Sequence, residues 1–364
     1  MDMPLDASPT RLLGRIRACV PTMRARAAAL DQAVRFPNED IADLRLAGCL
    51  DAPIPTRLGG LGLGTNPEGS LATLTMLRLI GSANLSVGRV IEGHINALRL
   101  VMLFGDEARQ REAAEDARDG RLFALWIAEA EPLRLISRRI LSGRKTFGSA
   151  VGAATRALVT ATDDAGDAWL VRVDVDHPGI ETKALAQSPQ GMRAAGNGAV
   201  AFHDVPCAVL GGAGDYLREP EFSAGAWRSS AVALGGLDAL IEAARTQLQA
   251  RGRAGDPHQL ARMGQALIAQ ETASLWLHKA APIADAATDS PHRLAYVNLA
   301  RIAVETACLD ALRLVQRSLG LAAFVPPNPI ERLSRDLGTF LRQPAPDEAL
   351  TDGAAYYMRH DLPP

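Results

Sequence analysis

Aromatic side chains are scarce. Four tryptophans, four tyrosines and eight phenylalanines are spread over 364 residues. A core built on stacked rings is therefore excluded, and abundant Ala and Gly point instead to helices packed closely through small residues. Cysteine is scarcer still: Cys19, Cys49, Cys207 and Cys308 lie far apart, with no CxxC pair. That excludes a disulfide scaffold, leaves no metal site expected, and reads as free thiols in a reducing, cytoplasmic compartment. An excess of one charge is missing too. Lys+Arg number 39 against 41 Asp+Glu, so neither nucleic acid nor an anionic membrane is expected as the main partner. The opening MDMPLDASPTRLL has no long apolar run, so neither a signal peptide nor a membrane anchor is indicated. Internal repeats and low-complexity blocks are also lacking. Hydrophobic residues are not: they make up 48% of the chain, enough for a large core and two or three domains.

In order, residues 10–33 read as a helix capped by Ser8-Pro9-Thr10, with Pro21 placed to kink or divide it. Residues 41–50 read as a second helix closing near Gly48. DAPIPTRLGGLGLG follows, where Gly59, Gly60, Gly62 and Gly64 permit tight turns but no P-loop lysine follows. Residues 70–105 carry helical segments with apolar residues at spacings of three and four. His94 lies inside one of them and reads first as a packed, hydrogen-bonded residue. DEARQREAAEDARDG is a charged surface helix.

The character then switches. Residues 123–160 alternate apolar and polar, with a glycine-rich LSGRKTFGSA insert. Locally this reads first as a surface hairpin, and otherwise as a sheet edge offering Ser149 and the Phe147 ring to a ligand. AWLVRVDVDHPGIETKAL reads as two strands joined at His177-Pro178-Gly179. His203 and Asp204 are adjacent on a strand, so they face opposite sides and make a poor dyad. After residue 215 helices return, including one capped by Asp256 with Pro257 at its first position and another over 292–320. The chain is therefore α+β: an N-terminal helical domain (1–121), a central β domain (122–215) and a C-terminal helical bundle (216–364).

This order, with LGGLGL at 58–63, WIAEAEP at 126–132, LSGRKTFGSA at 141–150, GIETKAL at 179–185, AWRSSAVALGGLDAL at 226–240 and PIERLSRDL at 329–337, resembles the acyl-CoA dehydrogenase superfamily. The resemblance covers roughly residues 10–345. It implies FAD, a homodimer or homotetramer, and α,β-dehydrogenation of an acyl thioester, with an electron-transfer flavoprotein as acceptor. In that chemistry the flavin takes a hydride while a carboxylate removes the α-proton. By the same resemblance Trp126 and Ala128 fall on the flavin-ring strand and loop, Ala128 where a threonine is common. Phe147 falls beside the isoalloxazine, Ser149 at the pyrophosphate, and Arg251 where an arginine reaches a neighbouring subunit's FAD phosphates. Ala254 replaces the phenylalanine that usually follows that arginine. Arg335-Asp336 matches a structural pair, expected in a buried or interface ion pair.

The usual base is absent. The glutamate position after Arg-Asp reads Arg342-Gln343-Pro344-Ala345, and the alternative position falls near Trp227. Neither Gln nor Trp accepts a proton at neutral pH. Glu348, just beyond, is the candidate catalytic carboxylate. A related group of monooxygenases takes reduced flavin from a reductase, and several of its members carry a histidine where Gln343 stands. That group and a non-catalytic homologue are the alternatives, with a small organic substrate in place of the thioester.

Overall fold

The computed structural model describes residues 8–127, 132–185, 187–286 and 291–362. Helix α1 (Pro9–Gln32) opens on Ser8, whose Oγ accepts from the Arg11 amide at 3.3 Å, and continues through Pro21 without dividing. Helix α2 spans Asn38–Leu46. Helices α3 (Ser70–Ala83) and α4 (Leu85–Phe104) are separated by Asn84 in extended backbone. Its side chain accepts from the Ser86 amide at 2.9 Å and so starts α4 afresh. Helix α5 (Glu107–Arg118) closes the N-terminal helices.

The strands are β1 (Phe123–Trp126), β2 (Leu133–Ile136), β3 (Ile140–Gly148), β4 (Arg156–Thr162), β5 (Ala168–Asp174), β6 (Ile180–Ala184), β7 (Gly198–Pro206) and β8 (Ala208–Leu210). They form one eight-stranded sheet in the order β6-β7-β3-β2-β4-β5-β8, with β1 parallel to β4. Strands β2, β3 and β4 are therefore its centre and not a surface hairpin, and Leu158 and Val159 are fully buried. His177-Pro178-Gly179 does turn the chain between β5 and β6. His203 and Asp204 do not pair: Asp204 accepts from the Ser142 hydroxyl at 2.6 Å, and the His203 ring lies 3.9 Å from Glu181.

Helices α6 (Ala226–Ala250), α7 (Pro257–Asp285), α8 (Pro291–Leu319), α9 (Pro329–Phe340) and α10 (Pro346–Tyr357) complete the chain. Asp256 caps α7 by accepting from the His258 and Gln259 amides at 2.9 and 3.1 Å. The result is N-terminal helices, a central sheet and C-terminal helices.

Small residues set the crossing of α3 and α6. A Cβ on Gly81 would stand 2.3 Å from the Val232 carbonyl oxygen, and one on Gly235 would stand 2.1 Å from that of Arg78. The two backbones touch, and no side chain fits between them. Beside the crossing, Arg78 grips Asp238 at 2.6 and 3.0 Å and reaches Ser274 on α7 at 3.1 Å.

His94 ties α4 to the rest. Its Nε2–H donates to the Leu50 carbonyl at 2.8 Å, and its Nδ1 accepts from the Phe123 amide at 3.1 Å. Complete burial holds the ring neutral, its pKa lowered to about 4. The unfolded chain takes up this proton near the ordinary histidine value, so stability is full above about pH 6.5 and falls as pH drops toward 4. Urea midpoints between pH 7.5 and 4.5 should show wild type losing about 2–3 kcal/mol relative to a His94→Gln variant. Parallel pH profiles for the two proteins would contradict this assignment.

Candidate functional site

A cleft of about 420 Å³ lies where three parts of the fold meet. Helix α4 contributes Glu92, Asn96 and Arg99. The end of β1 contributes Leu125 and Ile127, and the first turn of α6 contributes Arg228 and Ser229. Helix α8 adds Leu294, Asn298 and Arg301, and the α9–α10 connection adds Gln343 through Ala345. Strand alternation explains the β1 contribution: Leu125 and Ile127 share one face, while Trp126 points to the other.

The inner wall is a buried charge network. Arg228, only 2% exposed, bonds Asp285 at 2.8 Å, Asn96 Oδ1 at 3.3 Å and the Gly64 carbonyl at 3.4 Å. Among the described residues its Nε and the second oxygen of Asp285 have no hydrogen-bond partner. Glu92 accepts from Arg89 at 2.6 Å and from Asn96 at 2.5 Å. Arg99 pairs with Glu221 at 2.8 Å. Burial pushes the Tyr216 hydroxyl up, with the Glu92 carboxylate adding to the effect, so Tyr216 stays protonated and can only hydrogen-bond at neutral pH.

Gln343 lines the cleft, and its amide donates to the Phe340 carbonyl at 2.7 Å. That bond fixes the side chain and leaves its Oε1 as an acceptor. Ala345 follows in left-handed backbone (φ 51°) and starts α10. Glu348 also lines the cleft, exposed on the first turn of α10. Trp227 does not line it. Its ring is fully buried, with an indole N–H that has no partner among the described residues.

The remaining candidates scatter. The Trp126 indole donates to the Ser149 carbonyl at 2.8 Å, so this side chain braces the end of β3. The Ser149 hydroxyl accepts from Arg89 at 3.4 Å. The Phe147 ring is 61% exposed and lies outside the cleft lining. Ala128 lies outside the described residues. Arg251 is exposed at the C-terminal end of α6, its guanidinium 3.4 Å from Gln247. Arg335 and Asp336 each find a partner, but not one another: Arg335 bonds Asp31 at 2.8 Å and Glu331 at 2.5 Å, while Asp336 pairs with Arg332 at 2.9 Å. Adjacent residues on a helix diverge by about 100°, which sends the two side chains to different neighbours. Among the described residues no group of three or more His, Cys, Asp or Glu could hold a metal ion. No described helix is long and apolar enough to cross a membrane.

Three solved structures share this arrangement over nearly their whole length. KijD3, solved with FMN and dTDP-3-amino-2,3,6-trideoxy-4-keto-3-methyl-D-glucose, superposes with a TM-score of 0.82 at 23% identity, covering 98% of this chain and 95% of its own. FMN-bound TdsC from Paenibacillus sp. A11-2, a dibenzothiophene monooxygenase, gives 0.85 at 19% identity, with 97% and 98% covered. Butyryl-CoA dehydrogenase from Megasphaera elsdenii gives 0.83 at 18% identity, with 99% and 100% covered. The chain has the acyl-CoA dehydrogenase fold. No protein-family model and no curated protein matches it by sequence.

Within this fold, sequence reading missed Arg228, Asn298 and Arg301. Arg228 follows directly on Trp227, which the sequence did single out, whereas Asn298 and Arg301 stand out only through the burial around them on α8. Arg228 also gives the network a measurable weight. Replacing Asp285 by Ala strands a buried cation and should cost about 3–5 kcal/mol in urea unfolding. Asp285→Asn, which keeps an acceptor, should cost less, and an unchanged midpoint for the alanine variant would dismiss the pair as structural glue.

Proposed function

We propose that this protein is a flavin-dependent oxidoreductase acting on a small organic substrate in the 420 Å³ cleft, and that it transfers oxygen rather than dehydrogenating a thioester. The observation that carries this reading is Gln343, anchored on the Phe340 carbonyl at the position the sequence assigns to the base. An amide held there orients a polar substrate atom but takes no proton. Two of the similar structures, KijD3 and TdsC, hold FMN, and TdsC is a monooxygenase.

The residues present fit a flavin ring. Leu125 and Ile127 offer an apolar strip at the end of β1, and outside that lining the Ser149 hydroxyl, which accepts from Arg89, offers a polar group at the end of β3. When bound, a reduced flavin supplies the two electrons that let dioxygen give one atom to the substrate and release the other as water. The chain's own residues position the substrate, keep Tyr216 protonated and wall the cleft with fixed charges. A flavin reductase is the partner this chemistry requires. Exposed Leu267, Ile268 and Leu275 on α7, together with Leu321 and Phe324 beyond α8, support a homo-oligomer. An absorbance titration with FMN and with FAD should give a saturable shifted flavin spectrum, the tighter of the two naming the cofactor. Absence of binding to either would leave the non-catalytic reading standing.

Glu348 supports a second reading, thioester dehydrogenation with that carboxylate as base, because it lines the same cleft. Under that reading an acyl-CoA bleaches the flavin anaerobically, and Glu348→Gln abolishes bleaching while flavin binding survives. No bleaching by wild type across short, medium and branched acyl-CoAs is the result expected if oxygen transfer is correct.

A further inference from the structure

The wall of the cleft formed by α8 has donors to spare. Asn298 lines the cleft and is only 6% exposed, so its side-chain amide faces the cleft from a nearly buried position. Arg301, one turn on, lines it as well. Its Nη2 donates to the Pro344 carbonyl, and among the described residues its Nε is buried without a partner and no carboxylate comes within ion-pair distance, Glu305 acting on it only as a nearby charge. The neighbouring Glu305 is taken by Arg342 at 2.5 Å. Burial depresses the Arg301 guanidinium from its ordinary range, as for a cation whose water has been removed and not fully replaced. Buried donors left open cost stability that a fold keeps only where something completes them. The cleft therefore places an amide donor and an unpaired guanidinium on one helix face, beside the acceptor of Gln343.

We infer that Asn298 and Arg301 bind an oxyanion, a carboxylate on a small and otherwise apolar substrate. The inference rests on the reading of this cleft as the substrate site. A planar guanidinium and an amide match a carboxylate's two oxygens, and Leu294, Leu100 and Phe222 supply apolar walls for the body of the molecule. The outer rim sets the size. Glu348 and Asp352, one turn apart on α10, are exposed there with no ion-pair partner among the described residues, and Glu219 stands exposed on the connector that precedes α6. Such a rim repels a polyphosphate carrier at low ionic strength, while a single carboxylate inside meets the partly buried Arg301, which salt screens less than the rim.

Calorimetric titration of the full-length protein tests this, with and without saturating FMN. The probes are benzoate, 3-phenylpropanoate and octanoate, each against its primary amide. At least one acid should bind about tenfold or more tightly than its amide. Arg301→Ala should bring that ratio to about one, Arg301→Lys should keep part of it, and Asn298→Ala should weaken the acid severalfold, each variant being checked for folding by circular dichroism. Should Arg301→Ala not fold, Arg301→Lys and Asn298→Ala carry the test. Equal affinities in every pair, no binding by any probe, or an acid preference that survives both substitutions overturns the inference. So does loss of all acid binding on adding FMN, which assigns these donors to the flavin ring. Flavin binding is scored separately by absorbance, so carboxylate selectivity without flavin binding would sink the proposed oxidoreductase and spare this site.

Discussion

Arg228 is the constraint around which the rest is arranged. A guanidinium almost wholly withdrawn from water is tolerable only where several elements converge on it, and here they do: Asp285 at the end of α7, Asn96 on α4, and the Gly64 carbonyl from the glycine-rich loop. Desolvation makes such a pair a poor source of net stability but a strong source of specificity, since each partner lost leaves a charge stranded. The same side chain floors the cleft, so the requirement that organises the helices also charges the site.

The fold was legible because its signals are local and repeated. The Asp256 cap, the three-and-four apolar spacing through residues 70–105 and the β-prone run through Leu158 and Val159 each point to one element type, and they agree with the order of motifs. The site was legible in part. Gln343 lines the cleft at the place the motif spacing implied, and Glu348 falls on its rim. Phe147 lies outside the lining, and the Trp126 side chain turns away because strand alternation sends it beneath β3. Asn298 and Arg301 were not read because a polar residue on a helical face is usually solvated. Only burial distinguishes a donor kept for a ligand from one turned to water, and burial is a tertiary property.

A dehydrogenase site and this one differ by a change of charge logic rather than of architecture. Where a carboxylate would meet a substrate proton, this chain presents the Gln343 amide bonded to the Phe340 carbonyl and the Arg301 guanidinium, with no ion pair to it among the described residues. Under the proposed reading such a cleft binds and orients, and the chemistry falls to the flavin. The similar structures include both a dehydrogenase and a monooxygenase.

The backbone contact between α3 and α6 has a consequence for motion. Two helices separated by side chains slide past one another as rotamers adjust, whereas helices touching at Gly81 and Gly235 have no such lubricant. Shear along that seam is closed, and Arg228 on the first turn of α6 is immobilised with it. Any adjustment of the cleft to a guest therefore falls more easily on the opposite bank, where Pro344 and Ala345 lead into the short helix α10.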